Sequence, residues 1–181
     1  MNIFEKYNAN RHIIKSGHLI LFHGTSILSK IIERTDKSYA SHIGIADIQA
    51  DRIAIFDMWK GGLCHLPLSK QMEDYKDGDF YLIELNLTKE EIKKLLDFFW
   101  NKWQKGVKYD YATLLRIWAK KKTSIDIQWL GKKDEWICSE AIMEGLKFIG
   151  KNYIPIDQPT PNDFDKYLSE EIGKIILKDN L

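Results

Sequence analysis

Two strand-like runs, SHIGIAD at 41–47 and IAIFDM at 53–58, are separated by only a short polar turn. So short a link joins antiparallel strands, because a parallel pair needs a crossover of about a dozen residues or more. The chain is thereby held to a hairpin, around which its other elements must be arranged. HLILFH at 18–23 reads as a strand before the hairpin and DFYLIELN at 79–86 as one after it. TSILSKIIERT at 25–35 has Ile27, Ile31 and Ile32 at helical spacing, with Thr25 or Ser26 as N-cap. The segment 88–104 is the best-marked helix. Thr88 and Glu91 form a T-x-x-E capping box, and Ile92, Leu95, Leu96, Phe99 and Trp103 share one stripe.

A further helix is expected from Asp110 to about Lys120, and another from near Cys138 to a stop at Gly150. PTPNDF reads as a turn into a short helix and IGKIILK as a closing strand. Strands come first, helices follow and a late strand ends the chain. That order predicts an α+β fold with antiparallel pairing, not an alternating βαβ chain. No repeat, low-complexity tract or Pro/Gly-rich linker divides the sequence. Its 181 residues suit a single domain spanning 1–181.

Charge narrows the function classes. With 27 basic and 26 acidic residues the net charge is +1, which speaks against a nucleic-acid binder and an acidic-lipid anchor. Charges recur every few residues through MNIFEKYNANRHIIKSGHLILFHG, so we expect no signal peptide or membrane span, and a cytoplasmic protein. Two cysteines without a C-x-x-C pair fit a reducing compartment. Neither H-E-x-x-H nor a second Cys–His pair beside Cys64-His65 is present, and no metal or cofactor is expected.

Chemistry centres on Cys138. It opens the helix CSEAIMEGLKFIG on its apolar stripe, where the first backbone N–H groups lack intrahelical partners and carry partial positive charge. Such a position stabilises a thiolate and can receive an oxyanion. On the helix start alone, a buried core cysteine is the commoner outcome. Among the histidines, His18 and His23 lie at odd spacing on one strand and point to opposite faces. His42 differs, since Gly44 and Ala46 follow it on its own face and leave an open side. Pairing 42 with 57, 44 with 55 and 46 with 53 would set Asp57 across from His42, whereas a one-residue slip would part them.

YASHIGIAD, IAIFDMWKGG and KYDYATLL…EWICSEAI, in that order, resemble the permuted papain-like amidases related to NlpC-type peptidases, specifically the YiiX/YaeF-like group. QPTPNDF is similar to that family's Pro-containing segment after the cysteine helix. The resemblance implies a circularly permuted papain-like fold, with an antiparallel sheet or small barrel against helices. It implies Cys138 as nucleophile, His42 as base and Asp57 as third member. Tyr109 of KYDY would take a substrate-side or oxyanion-supporting role, or simply pack. Gly17-His18 departs from the family's usual Gly-Asp. The CSE context favours this group over the lipid acyltransferase branch.

The expected activity is a cysteine hydrolase cleaving a peptide or N-acyl amide through a thioester acyl-enzyme. A thioesterase or acyltransferase on lipid-like substrates, or an idle binding module, are the alternatives. The partner is a small amide, peptide or acyl substrate; the oligomeric state is left open. The basic segment 116–133, with Trp118 and Trp129, reads as a solvated loop or as a docking surface for an anionic or lipidic substrate.

Overall fold

The hairpin forms as its pattern requires. In the computed structural model β2 (His42–Gln49) and β3 (Arg52–Trp59) are antiparallel, and Gln49 faces Arg52 across a two-residue turn. Ala50 holds φ +51 at the first turn position, the left-handed backbone that tight hairpins use. The structure describes residues 2–24, 39–59, 61–110, 112, 135–168 and 171–177. The helix expected at 25–35, nearly all of that expected from Asp110 to Lys120, and the basic segment 116–133 lie outside the described residues.

β1 (Leu19–His23), β4 (Gly62–Pro67), β5 (Asp79–Leu85) and β8 (Gly173–Leu177) complete a six-stranded antiparallel sheet in the order β4-β3-β2-β1-β5-β8. The short strands β6 (Lys108–Tyr109) and β7 (Glu135–Trp136) pair in parallel as a separate ladder. The helices are α1 (Ile3–Asn10), α2 (Leu68–Glu73), α3 (Lys89–Gln104), α4 (Cys138–Phe148) and α5 (Pro161–Lys166).

Side chains alternate across the sheet and fill two cores. Leu21, Ile43, Ile45, Phe56 and Tyr81 point toward α3 and α4, where Leu95, Phe99, Ile142 and Leu146 meet them. Ile20, Phe22, Ala46, Ile55 and Leu82 point to the other side, toward Ile3 of α1 and Met72 of α2. Burying one such large apolar side chain stabilises the fold by roughly 1.5–3 kcal/mol. Two-sided burial explains why runs such as LILF and IAIF are continuously apolar.

This arrangement corrects the expected papain-like permutation and small barrel. The sheet is open, with β4 and β8 as unjoined edges and no closed barrel among the described residues. Both faces are covered by helices, so the sheet is a middle layer and not a wall curled around an interior. An antiparallel sheet packed against helices is what remains of that expectation, and nothing in the topology evidences a papain-like permutation.

The hairpin register also differs from expectation. Ile45 pairs with Phe56 and Ala46 with Ile55, two residues away from the anticipated alignment. The two-residue turn sets this, because strands continue to Gln49 and Arg52 instead of stopping short. A two-residue shift preserves the side-chain face. α1, α2, β6 and β7 were not anticipated, and the stretch around Cys64 and His65, open between loop and strand, is β4. For α1 the signal was present: Asn2 caps the N–H groups of Phe4 and Glu5, and the Glu5 carboxylate accepts from the Asn2 N–H.

Candidate active site

His42 opens β2 and Asp57 lies near the end of β3. Extending the observed ladder sets Gly44 opposite Asp57, so the two side chains meet on a diagonal across a residue without a side chain. Gly44 is required there. A Cβ on it would lie 2.8 Å from the Phe56 carbonyl oxygen and 2.6 Å from Ile55 Cδ1. His42 Nε2 is hydrogen-bonded to Asp57 Oδ1. Both residues are buried, His42 at 6% and Asp57 at 2% exposure.

The imidazole sits among aromatic rings. Tyr75 lies nearly parallel to it at 6.0 Å between centroids, Trp59 is edge-on at 5.7 Å and Phe22 is tilted at 6.2 Å. The ring is thus confined on several sides while Asp57 holds one nitrogen. Trp59 shares the face of Asp57 at spacing two, a signal the sequence carried. Tyr75 stands just beyond α2 in a turn-rich stretch and left no comparable signal.

Cys138 reaches this place from the other layer. α4 packs along β2, and its first residue is near enough to His42, where β2 begins, for its charge to be felt there. Cys138 is 6% exposed. Its charge bears on His42.

Two features shape the start of α4. Ile137, at the N-cap, has no side-chain oxygen to take up the N–H groups of Cys138 and Ser139. The Ser139 hydroxyl instead donates to the Pro159 carbonyl at 2.5 Å, tying the first turn to the segment before α5. The helix ends as predicted near Gly150. Its φ of +79 and the Lys151 N–H bond to the Leu146 carbonyl make a left-handed C-terminal cap.

Electrostatics follow from burial and neighbours. Burial pulls the His42 imidazolium down, but Asp57 and Cys138, through charge and hydrogen bonds, outweigh it and raise His42 well above its ordinary value. Burial first, then the charges of Asp57, Cys138 and Tyr109, keep the Tyr75 phenol protonated well beyond its usual range. Cys64 faces Asp57 across β3 and β4 and donates to its carbonyl oxygen at 3.2 Å. Burial, with Asp57 adding to it, pushes that thiol up to about 12.

Tyr109 lies on β6, paired with Trp136 two residues before Cys138, and its charge reaches Tyr75. The remaining histidines stand apart from this group. His65 Nε2 is held by Asp47 at 3.0 Å on the α3 side of the sheet. His18 accepts the Lys15 N–H, and His23 Nδ1 lies 2.9 Å from the Tyr39 carbonyl.

The class defined by these observations is an α+β protein whose antiparallel sheet packs against helices. Among solved structures the chain is similar to the metalloprotein yiiX from Escherichia coli O157:H7, DUF1105. The TM-score is 0.55 at 16% identity, over 91% of this chain and 97% of that one. The likeness is a distant one of fold. No protein-family model matches the chain, and no curated protein matches it.

The described residues do not fit a metal centre: no group of three or more His, Cys, Asp or Glu among them is placed to hold an ion. His42 Nε2 is already hydrogen-bonded to Asp57. Among the described residues no helix is long and apolar enough to cross a membrane.

Proposed function

We propose that this protein is a cysteine hydrolase that cleaves an amide bond of peptide or N-acyl type, with Cys138 as nucleophile, His42 as base and Asp57 as orienting group. One observation carries the reading: a buried imidazole is bound to a carboxylate through one nitrogen and feels the charge of a thiol at the first residue of a helix. Nucleophile, base and orienter in that sequence are what acyl transfer at neutral pH needs.

His42 Nδ1 takes the Cys138 proton and the sulfur attacks the carbonyl carbon, forming a C–S bond. The oxyanion is received by backbone N–H groups at the start of α4, with Tyr109 beside them. Collapse breaks the C–N bond, and the amine leaves with the proton held by His42. Water, deprotonated by His42, then attacks the thioester; the acid departs and the thiol is restored. Asp57 holds the ring with Nδ1 toward sulfur and balances the imidazolium.

The test is a panel of peptide, N-acyl and ester substrates against the native protein, Cys138→Ala and His42→Ala, with intact-mass analysis of the reaction. We expect turnover in the native protein alone, with a short-lived acyl mass on Cys138. An acyl mass that persists until a second nucleophile is added would redirect the reading to acyl transfer. Undiminished turnover in Cys138→Ala would falsify it.

A further inference from the structure

The orienting carboxylate is only half accounted for. Asp57 Oδ1 binds His42, whereas Oδ2 is buried and has no hydrogen-bond partner among the described residues. A carboxylate oxygen shut away from water without a donor carries a large desolvation cost, and native structures seldom leave one so. A second orphan of opposite sense lies in the same layer. Gln71 is 1% exposed, and its amide nitrogen Nε2 is likewise buried and unpartnered among the described residues.

The path of the chain places these groups on the same side of the sheet. β4 runs from Gly62, opposite Trp59, to Pro67, opposite Ala54. α2 starts there and runs back along β3, so that Tyr75 ends 6.4 Å from the Trp59 ring and against His42. Leu68, Gln71, Met72 and Tyr75 form the buried stripe of this segment, on the side of the sheet to which Asp57 points. Tyr75 follows just past the end of α2, its N–H donating to the Met72 carbonyl. α2 follows Pro67, which is opposite Ala54, and packs on β3, where Asp57 lies three residues further on toward Trp59. The charge of Asp57 is felt at Tyr75.

We propose that the Gln71 amide and the Tyr75 hydroxyl hold Asp57 Oδ2 through one buried water, and so act as positioning residues for His42. Three partners are what a buried water ordinarily has: here one acceptor and two donors. The arrangement stabilises the ionised carboxylate, which stabilises the imidazolium, which in turn stabilises the Cys138 thiolate. The titratable groups facing His42 and its partners are Asp57 and the Cys64 thiol from the sheet, Cys138 from α4, Tyr75 with Asp74 beyond α2, and Tyr109 from β6. The inference rests on the Cys138–His42 reading above and extends it to α2.

The experiment reads Cys138 alkylation by iodoacetamide across pH in the native protein, Gln71→Met, Tyr75→Phe and the double variant. Methionine keeps the volume of Gln71 and removes its donors; phenylalanine keeps the ring against His42 and removes the hydroxyl. Each single variant should slow alkylation about tenfold at about pH 6, the size of one lost hydrogen bond to a charged group. Each should also move the profile to higher pH. The double variant should lose little more than either single one, because the water is shared. An unshifted profile in either variant overturns the proposal, as do two shifts that add in full. His42→Ala is the control that separates the two readings. A native profile indifferent to it overturns the Cys–His reading and this one together, whereas a native profile that needs His42 but ignores Gln71 overturns this one alone. Near-ultraviolet circular dichroism checks that both variants are folded, and Tyr75→Phe decides the matter if Gln71→Met is not.

Discussion

At the residue scale, the two cysteines divide by environment and not by type. Cys138 opens a helix beside an imidazole, while Cys64 lies between strands against the Asp57 carbonyl. We therefore expect iodoacetamide to modify Cys138 below about pH 8 and to leave Cys64 unmodified in the folded protein, as peptide mass spectrometry will report. His42→Ala should slow the reaction at Cys138 and leave Cys64 as it was; equal rates at the two thiols would sink the assignment of roles. The imidazole has its own signature. Its folded-state pKa is raised, so the stability it contributes is complete below the unfolded value of about 6.5 and is lost as pH rises through the raised value. Asp57→Asn removes the carboxylate charge and leaves burial in place, so the His42 titration followed by NMR should move downward. The sequence pointed to His42, Asp57 and Cys138 through residue type and local spacing. It was silent on Tyr75 and Gln71, whose relation to His42 and Asp57 depends on a helix folding back along the sheet.

At the element scale, the hairpin does the positioning. Any Cβ on Gly44 meets the Phe56 backbone, which cannot simply rotate away. Gly44→Ala should destabilise the protein by about 1–3 kcal/mol, as overpacking does, measured by urea unfolding. It should also slow Cys138 alkylation, because β3 carries Asp57 away from His42. An unchanged midpoint would mean that the strands separate freely at this point. α3 offers a plainer test. Thr88 and Glu91 exchange the two hydrogen bonds of a capping box, so Thr88→Ala should cost about 1 kcal/mol and leave the reactivity of Cys138 untouched. The capping box, the stripe of α3 and the Gly150 stop were legible because each is a local pattern. The register was not, because its two-residue offset depends on where the turn closes; parity survived, and with it the meeting of His42 and Asp57.

At the scale of the whole molecule, two cores lie on opposite faces of one sheet, and the candidate site sits where elements of both layers reach the same end of it. We propose that the chain is one domain. Heat or urea should then unfold it in a single transition, with near- and far-ultraviolet circular dichroism superimposable. Two separated transitions would show that the layers fold independently. The sequence by itself determined the antiparallel hairpin, the capped amphipathic helix and the chemical character of the residues at the site. These follow from side-chain alternation, helical spacing and capping, all of which act within a few residues. Only the tertiary structure decided that the sheet stays open and is covered on both faces. It alone brings Cys138 across from the opposite layer to His42, and lays the Leu68–Tyr75 segment along the face that carries Asp57. Those outcomes depend on which apolar faces bury each other across long stretches of chain, and burial is non-directional, so no short pattern can encode them.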